Sequence, residues 1–235
     1  MKALLLAAGR GERMRPLTDT CPKPLLRLRG KPLIEWHLDA LARGGVREVV
    51  VNTAWLEEQI VAALGDGTRF GLHLRYSLEG RDHGGALETA GGLKKALPLL
   101  LSDTGDACFW YVAADVFAPE FRFDVREHAA FERSDELARL WMVPNPPQHP
   151  LGDFGIERGR VVPGVDGKRF TWSGIGLFRA AFVTELMAAL APGTKARLRP
   201  YLDVAIAQRR LGAVVYAQAW ADVGTPERLA ALQRP

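Results

Sequence analysis

A short glycine-containing loop near the amino terminus carries a dense cluster of positive charge. Residues 1–31 contain eight lysines and arginines against two acidic residues, so this segment alone is more positive than the whole chain, whose net charge is +4. The loop reads Gly9-Arg10-Gly11-Glu12-Arg13, and Lys23 follows between two prolines. Backbone N–H groups beside cations this dense suit a compact anion such as a triphosphate better than a long polyanion. A basic loop that merely faces solvent is the alternative interpretation.

Three kinds of phosphate-binding loop are candidates for this segment. A Walker A loop requires a Lys-Ser or Lys-Thr pair, and none follows these glycines. A dinucleotide-binding loop requires a third glycine where Met14 stands and an acidic residue after the second strand, where Asn52 stands. The third kind is a glycine loop facing a triphosphate, with Arg13 and Lys23 as its cations and with small residues that let a base approach the backbone: Ala7, Ala8 and Gly9. This third interpretation is favoured, and a nicotinamide-dependent oxidoreductase is disfavoured.

Two aspartates far apart in the chain are candidate metal ligands. Asp115 and Asp222 each come just past an apolar strand, so both are expected at the carboxyl edge of the sheet. Two carboxylates there could hold Mg²⁺ together with waters and phosphate oxygens. The alternative is that each aspartate caps a helix or a turn.

A third candidate region precedes the helix predicted at residues 87–101. Glu79 and the turn at residues 88–92 offer small residues and free N–H groups that could read the edge of a pyrimidine. A plain loop with a helix cap is the alternative. The five histidines have no metal-ligand spacing and suggest no general base.

The elements that must position these residues alternate along the first half of the chain. Apolar runs predict strands at residues 3–8, 46–51, 70–76 and 107–114. Helical patterns lie between them, one opening at Pro32 and stopped by Gly44 and the others at residues 55–64 and 87–101. Alternation of this kind predicts right-handed βαβ units in a parallel sheet flanked by helices, which is an α/β, Rossmann-like fold.

The second half of the chain does not continue the regular alternation of strands and helices. Asn145-Pro146-Pro147 forms a break, and a hairpin at residues 154–162 turns at Arg158-Gly159. A strand at 170–178, helices at 180–191 and 198–210, a strand at 213–217 and a short carboxyl-terminal helix follow. These strands are expected to lie irregularly over one end of the first sheet, within one domain.

Composition excludes several classes of protein. The chain has 235 residues, of which 48% are hydrophobic and 25% charged, which argues against intrinsic disorder. No apolar run approaches the roughly 20 residues of a membrane span, and the first run is too short for a secretory signal. Two cysteines are too few for a disulfide scaffold. We therefore expect a cytoplasmic protein that binds neither membrane nor nucleic acid.

The loop motif resembles a known family. Residues 6–18, with Pro22-Lys23-Pro24-Leu25, are similar to the opening motif of the sugar-1-phosphate nucleotidylyltransferases, which couple a nucleoside triphosphate to a sugar 1-phosphate and release pyrophosphate. The chain most resembles the bacterial N-acetylmuramate 1-phosphate uridylyltransferases of cell-wall recycling. Further grounds are residues 52–56, 87–92, 145–146 with 152–154, 173–175 and 220–225. The resemblance spans the whole chain.

The resemblance implies a role for each of the motif residues. It implies catalytic roles for Arg13 and Lys23 and Mg²⁺ bound by Asp115 and Asp222. It implies nucleotide binding by Leu6, Ala7, Ala8, Gly9, Gly11, Glu79, Glu88, Thr89, Ala90 and Gly91, and sugar binding by Asn145, Asp153, Ser173 and Gly174. Residues 1–145 would form a nucleotide-binding half and residues 146–235 a sugar-binding half of a single nucleotidyltransferase domain.

The same resemblance implies UTP and N-acetylmuramate 1-phosphate as substrates, in a monomer or a homodimer. Another sugar 1-phosphate, of the mannose or glucose type with GTP or dTTP, is the alternative. A catalytically dead nucleotide sensor is disfavoured because both aspartates and both cations are present. The lactyl carboxylate of N-acetylmuramate calls for a cation, and the second half offers Lys168, Arg169, Lys195, Arg197 and Arg199. The last three fall in one short segment, and we expect Arg197 to bind the sugar. A basic loop that faces solvent is the alternative.

Two features depart from the family pattern. Ala113-Ala114 stands before Asp115 where the family commonly has a glycine before the metal ligand. The stretch at residues 81–85 is longer than the usual connection, which leaves the shape of the base pocket open.

Overall fold

The computed structural model describes residues 1–101, 107–164 and 169–233. Its strands are β1 (Lys2–Leu6), β2 (Arg27–Leu28), β3 (Lys31–Pro32), β4 (Glu48–Thr53), β5 (His73–Leu78), β6 (Cys108–Ala113), β7 (Val116–Phe117), β8 (Ala138–Val143), β9 (Gly155–Glu157), β10 (Arg160–Val162), β11 (Thr171–Arg179), β12 (Leu211–Val215) and β13 (Ala221–Asp222). Its α-helices are α1 (Leu33–Arg43), α2 (Glu57–Leu64), α3 (Glu79–His83), α4 (Glu88–Leu100), α5 (Val125–Glu132), α6 (Ala180–Leu186), α7 (Arg199–Ala207) and α8 (Pro226–Leu232).

The first half of the chain forms the parallel part of a nine-stranded sheet. The order of the nine strands is β5-β4-β1-β6-β11-β8-β12-β10-β9. Strand β1 pairs in parallel with both β4 and β6, and β4 pairs in parallel with β5. Buried on both faces, β1 has the continuous apolar character that its residues predicted. The predicted α/β sheet flanked by helices is confirmed.

Strand β1 marks a reversal in the strand order. The chain passes from β1 to β4 and β5 on one side and then crosses to β6 on the other. Loops that leave the carboxyl ends of β1 and β6 therefore diverge and open a crevice, which is where ligands bind in sheets of this kind. The basic glycine loop follows β1, and Asp115 follows β6.

The second half extends this sheet rather than lying over its end. Strand β11 pairs antiparallel with both β6 and β8, and β12 pairs in parallel with β8. Because β8 comes before residue 145 and yet lies between β11 and β12, the break at Asn145 does not divide the sheet into two parts. The expected hairpin is present as β9 and β10. Neither α5 nor β8 was predicted.

Helices cover both faces of the sheet, and a third, smaller core lies at its edge. Helices α1 and α2 pack on one face, and α4, α6 and α7 pack on the other. The small core joins the glycine loop, the segment after β6 and α8 through seven buried residues: Met14, Leu26, Leu28, Leu33, Phe117, Val223 and Leu229. Among the described residues, no helix is long and apolar enough to cross a membrane.

Candidate active site

A cleft of about 590 Å³ lies at the carboxyl ends of β1, β4 and β6, at the reversal in strand order. Eight of the residues singled out from the sequence line it: Leu6, Ala7, Ala8, Gly9, Lys23, Glu88, Thr89 and Asp115. Lys195, one of the five candidate cations for the lactyl carboxylate, lines it as well, whereas other lining residues were not singled out as ligands, among them Arg10, Glu12, Asn52 and Tyr111. The structure thus brings the glycine loop, the first turn of α4 and one aspartate around one space.

The end of β1 forms the floor of this cleft. The Ala7 N–H donates to the Asn52 carbonyl at 2.9 Å, and the Leu6 carbonyl accepts from the Ala114 N–H at 3.0 Å. These bonds hold the three strand ends side by side. A Cβ on Gly9 would meet no atom within 4 Å, so the chain lies open at that residue.

Gly11, two residues after Gly9, lies where a side chain would not fit. Gly11 has a φ of +69°, and a Cβ there would lie 3.2 Å from Cβ of Lys23. The missing side chain lets Lys23 pass close to the loop, while the Thr18 hydroxyl donates to the Gly11 carbonyl at 2.9 Å. Met14 is fully buried in the small core and anchors the loop.

The loop presents two arginines in different ways. Arg13 is exposed and is not among the residues that line the cleft. Arg10 lines the cleft, with its guanidinium 3.7 Å from the centre of the Trp55 ring and its Nε 2.9 Å from Glu12. Trp55 is itself fixed, because its indole N–H donates to the Thr18 carbonyl at 2.9 Å. No local pattern in the sequence favours Arg10 over Arg13.

Lys23 and Asp115 both line the cleft and form an ion pair with each other. Their Nζ and Oδ2 atoms are 2.8 Å apart, and the Lys23 side chain is only 9% exposed against 43% for Asp115. A nearly buried ammonium needs such a partner. Asp115 therefore presents an accessible carboxylate, and Lys23 a cation that a phosphate could share.

Asp222 reaches Asp115 by a route that differs from the expected one. It does not end a strand of the main sheet; it lies in β13, which pairs antiparallel with β7 so that Asp222 stands opposite Val116. The Val223 N–H also donates to the Asp115 carbonyl at 3.0 Å. Neither aspartate caps a described helix. Asp222 is not among the residues that line the cleft, but these backbone contacts bring it beside Asp115 in the fold. Two carboxylates near a phosphate-sized cleft are a donor set that fits Mg²⁺, which takes one or two protein carboxylates and completes its shell with water and phosphate.

Glu79 is a buried carboxylate beneath the cleft. One of its oxygens accepts from the Leu87 N–H at 2.6 Å, and the other accepts from the side-chain amide of Asn52. Burial raises the pKa of Glu79, and the Leu87 and Asn52 donors oppose that rise. A Cβ on Gly92 would lie 2.5 Å from Glu79 Oε1, so glycine leaves the space that the carboxylate occupies. Glu79 thus supports the cleft from below and does not line it.

The turn at residues 88–91 is the start of α4, and its N–H groups are not all free. Those of Ala90 and Gly91 both donate to the Ala196 carbonyl, at 2.8 and 3.4 Å. The expectation of free N–H donors is therefore wrong for these two residues, which dock the segment at residues 194–197. Glu88 and Thr89 line the cleft, and Glu88 has a φ of +60°, a strained conformation for a non-glycine residue.

None of the five residues expected to bind sugar lies among those lining the cleft. The hydrogen-bonding groups of Asn145 are engaged by its own loop and by the start of β11: its amide donates to the carbonyls of Pro150 and Arg169, and its oxygen accepts from Thr171. Asp153 accepts from the Trp172 N–H at 2.8 Å and pairs with His149 at 3.0 Å. In this structure both side chains shape a loop.

Ser173 and Gly174 form an irregularity in β11 beside the end of β6. The Ser173 hydroxyl is fully buried and accepts from the Ile175 N–H. Gly174 has a φ of +79°, and a Cβ there would lie 2.9 Å from Cβ of Ala113. The pairing of β11 with β8 shifts register between Trp172 and Gly176, a bulge that lets β11 approach the cleft wall.

One of the second-half cations reaches the cleft. Lys195 lines it, whereas Arg197 is exposed and does not. Arg199 pairs with Asp203 at 2.8 Å, and Arg169 packs against Gly164. Lys168 lies outside the described residues.

A family model described as nucleotidyl transferase matches residues 2–234. The chain belongs to the nucleotidyl transferase family. It is 45% identical over 236 residues to an N-acetylmuramate alpha-1-phosphate uridylyltransferase from Neisseria meningitidis serogroup B, covering 97% of this chain and 95% of that one. It is also 45% identical over 191 residues to a UTP–glucose-1-phosphate uridylyltransferase from Synechocystis, covering 79% of this chain but 47% of the relative.

The fold of this nucleotidyl transferase also matches a solved structure. A crystal structure described as a glucose-1-phosphate thymidylyltransferase from Bacillus anthracis superposes with a TM-score of 0.82 over 99% of this chain and 94% of that one, at 20% sequence identity. Similarity at that identity concerns the fold alone. It supports the mixed, mostly parallel sheet described above.

The cleft residues that sequence reasoning missed in this nucleotidyl transferase had only weak local signals. Arg10 stands between two glycines of the loop, and Asn52 stands at the end of a strand, where polar residues are common. Tyr111 is an aromatic residue in an apolar strand and reads as core. Only the packing of β6 against β1 and β11 places Tyr111 at the wall of the cleft.

Proposed function

We propose that this protein transfers UMP from UTP to N-acetylmuramate 1-phosphate, giving UDP-N-acetylmuramate and pyrophosphate for peptidoglycan recycling. The observation that carries the proposal is the cleft that gathers the glycine loop and the Lys23–Asp115 pair at the reversal in strand order, with the backbone of Asp222 paired beside the segment that follows Asp115. The choice of sugar is supported by the uridylyltransferase from Neisseria meningitidis, which this chain matches over nearly its full length.

The chemistry assigned to the cleft is phosphoryl transfer without a general base. An oxygen of the already ionised sugar phosphate attacks the α-phosphorus of UTP in line, a new P–O bond forms, and the bond to the β-phosphate oxygen breaks. Lys23, held at the floor of the cleft, stabilises charge on the transferred group. Arg13, which is exposed on the loop, is assigned to binding the leaving pyrophosphate. Arg10 of the same loop lines the cleft.

The metal assigned to this reaction is Mg²⁺, held by Asp115 and Asp222. When bound there, Mg²⁺ would neutralise the phosphate oxygens and offset the repulsion between the two substrates. Lys23 pairs with Asp115 and balances part of its charge. We expect that pair to loosen when phosphate enters, since the ammonium then has a second anionic partner.

The nucleotide is assigned to the side of the cleft formed by β1 and α4. Leu6, Ala7, Ala8 and Gly9 provide a flat backbone surface, and Glu88 and Thr89 face it from the first turn of α4. Glu79, Gly11, Ala90 and Gly91 would act from behind, by fixing the loop and the helix start. We accordingly assign nucleotide binding mainly to residues 1–145 of a single domain and sugar binding to segments of residues 146–235.

Recognition of the lactyl carboxylate is assigned to Lys195. Among the four described members of the second-half cation group, it is the one that lines the cleft, and its segment is docked on α4 by the Ala196 hydrogen bonds. Loss of a charge-assisted hydrogen bond corresponds to about 10- to 100-fold in kcat/KM. Lys195→Met should therefore lose that factor with N-acetylmuramate 1-phosphate but little with N-acetylglucosamine 1-phosphate, which lacks the carboxylate.

A matched variant separates this role from general charge effects. Arg197→Met removes an exposed cation two residues away and should leave both substrates nearly unaffected. An equal loss with both sugars in Lys195→Met would assign the residue to phosphate instead. If only Arg197→Met loses activity with N-acetylmuramate 1-phosphate, the lactyl carboxylate is bound by Arg197, as expected from the sequence.

The experiment that tests the proposed function is pyrophosphate release over a grid of nucleoside triphosphates and sugar 1-phosphates. The highest kcat/KM should occur with UTP and N-acetylmuramate 1-phosphate. Preference for glucose 1-phosphate, supported by the Synechocystis relative, or for mannose 1-phosphate with GTP would overturn the sugar assignment and leave nucleotidyl transfer in place. Binding of UTP without turnover of any pair would instead indicate a nucleotide sensor. We further propose a cytoplasmic location, which is supported by the free thiols of Cys21 and Cys108. A monomer or a homodimer stays a prediction.

A further inference from the structure

Asp222 has a cationic partner outside the cleft. Arg228 Nη1 lies 2.6 Å from Asp222 Oδ2, and each side chain is 26% exposed. Unlike Lys23, Arg228 is not among the residues that line the cleft. The two neighbouring aspartates therefore each carry one positive partner, but only the partner of Asp115 is placed to meet a substrate phosphate.

The backbone around Arg228 is built to bring its side chain back to Asp222. Thr225 caps α8 by accepting from the Arg228 N–H at 3.3 Å, and Pro226 opens the helix. A Cβ on Gly224 would lie 2.8 Å from Arg228 Nη1 and 3.0 Å from Asp222 Oδ2. Glycine at 224 thus leaves the space in which the guanidinium and the carboxylate meet.

Helix α8 is held in place by the small core. Leu229 and Val223 are buried there together with Met14 of the glycine loop and Phe117 of β7. The base of the Arg228 side chain is consequently fixed relative to both the triphosphate loop and the strand that follows Asp115. A guanidinium anchored in this way constrains the rotamer of the carboxylate that it holds.

We propose that Arg228 is a positioning residue that fixes the Asp222 carboxylate for a divalent cation shared with Asp115. Arg228 engages Oδ2 of Asp222, and the ion pair also limits the repulsion between the two aspartates before the metal arrives. The inference rests on the proposed function, because it takes the two aspartates as metal ligands. Partners that orient a metal-binding carboxylate from outside typically change metal affinity by 10- to 100-fold when removed.

The test is Mn²⁺ binding to the purified protein, followed by water-proton relaxation with Mn²⁺ alone. Arg228→Gln should raise the Kd for Mn²⁺ by about 10-fold or more. Gly224→Ala should act in the same direction because its Cβ displaces the guanidinium. Arg228→Lys keeps the charge without the planar donor, so it should show a smaller loss and keeps the test available if the glutamine variant does not fold. The concentration of Mg²⁺ for half-maximal rate should rise in parallel.

Two further variants distinguish failure of the metal assignment from failure of the role proposed for Arg228. Arg210→Gln breaks a comparable ion pair, with Glu185 at 2.8 Å, and should leave the Kd for Mn²⁺ unchanged. Asp222→Asn should weaken Mn²⁺ binding; if it does not, the metal assignment in the proposed function fails. If Asp222→Asn weakens binding while the Arg228 and Gly224 variants bind Mn²⁺ as the parent does, or more tightly, the positioning role of Arg228 is overturned and the metal site stands.

Discussion

Replacing Glu79 by glutamine should destabilise the protein, because the hydrogen bonds of this carboxylate are formed in the protein interior. The carboxylate is fully buried and accepts two N–H donors, one from Leu87 and one from Asn52. Glutamine in its place offers one acceptor oxygen and sets an amide N–H₂ against the other donor. One buried donor left without an acceptor costs about 1–3 kcal/mol, so Glu79→Gln should lower the free energy of unfolding by about that amount.

A graded pair of substitutions sharpens the test. Glu79→Leu removes both acceptors and should cost about 2–6 kcal/mol, roughly twice the glutamine value. Replacing Asn52 by leucine as well removes one of the two stranded donors, so the double variant should be less destabilised than the sum of the two single variants. Urea unfolding followed by circular dichroism measures all of these differences.

The same substitution should disturb nucleotide use. Leu87 precedes Glu88 and Thr89, which line the cleft, so loss of its anchor shifts the start of α4. A small misplacement of binding groups can reduce kcat/KM for UTP by about 10- to 100-fold. Glu58→Gln, an exposed glutamate on α2, is the control. If Glu79→Gln matches that control in both unfolding and kcat/KM, the carboxylate does not hold this turn.

The remaining predictions concern the metal, the cations and a buried histidine. Asp115→Asn and Asp222→Asn should each reduce turnover by orders of magnitude without unfolding, and EDTA should do the same to the parent; full activity in EDTA would contradict the metal assignment. Lys23→Ala should lower kcat more than it raises KM, while Arg13→Ala should mainly impair use of the triphosphate; normal turnover by both would make the basic segment a solvated loop. Burial lowers the pKa of His37 from 6.5 to about 4, so the unfolded chain alone takes up a proton as pH falls through this range. The free energy of unfolding should then decrease by about 3 kcal/mol on this account between pH 6.5 and 4, and His37→Gln should flatten that slope; an unchanged slope would refute it.

Local signals in the sequence accounted for most of the elements. The apolar run before Gly9 predicted β1, and Pro32 and Gly44 bounded α1 within a residue. The turn at Arg158-Gly159 predicted the β9–β10 hairpin. These features succeed because they depend on backbone preferences and on the burial pattern of a few adjacent residues. The glycine loop with Lys23 likewise predicted a phosphate site from its own residues.

The arrangement of the site depended on contacts that no local pattern encodes. Ala90 and Gly91 look free in the sequence, yet their N–H groups meet a carbonyl more than a hundred residues away, at Ala196. Asn145 has the chemistry of a sugar ligand, but its amide donates to the carbonyls of Pro150 in its own loop and of Arg169 just before β11. A polar group is available to a ligand only when the folded chain leaves it unpaired, and that is decided by tertiary packing.

For Asp115 and Asp222, too, the sequence predicted the residues, and tertiary packing decided how they are placed. Their residue type and their position after apolar strands were sufficient to nominate both as metal ligands. Their proximity comes from the pairing of β7 with β13, two residues against two, which is supported by the small core and by Arg228 on α8. So short a pair has almost no signal of its own in the sequence, because its stability comes from the buried side chains around it rather than from its own residues.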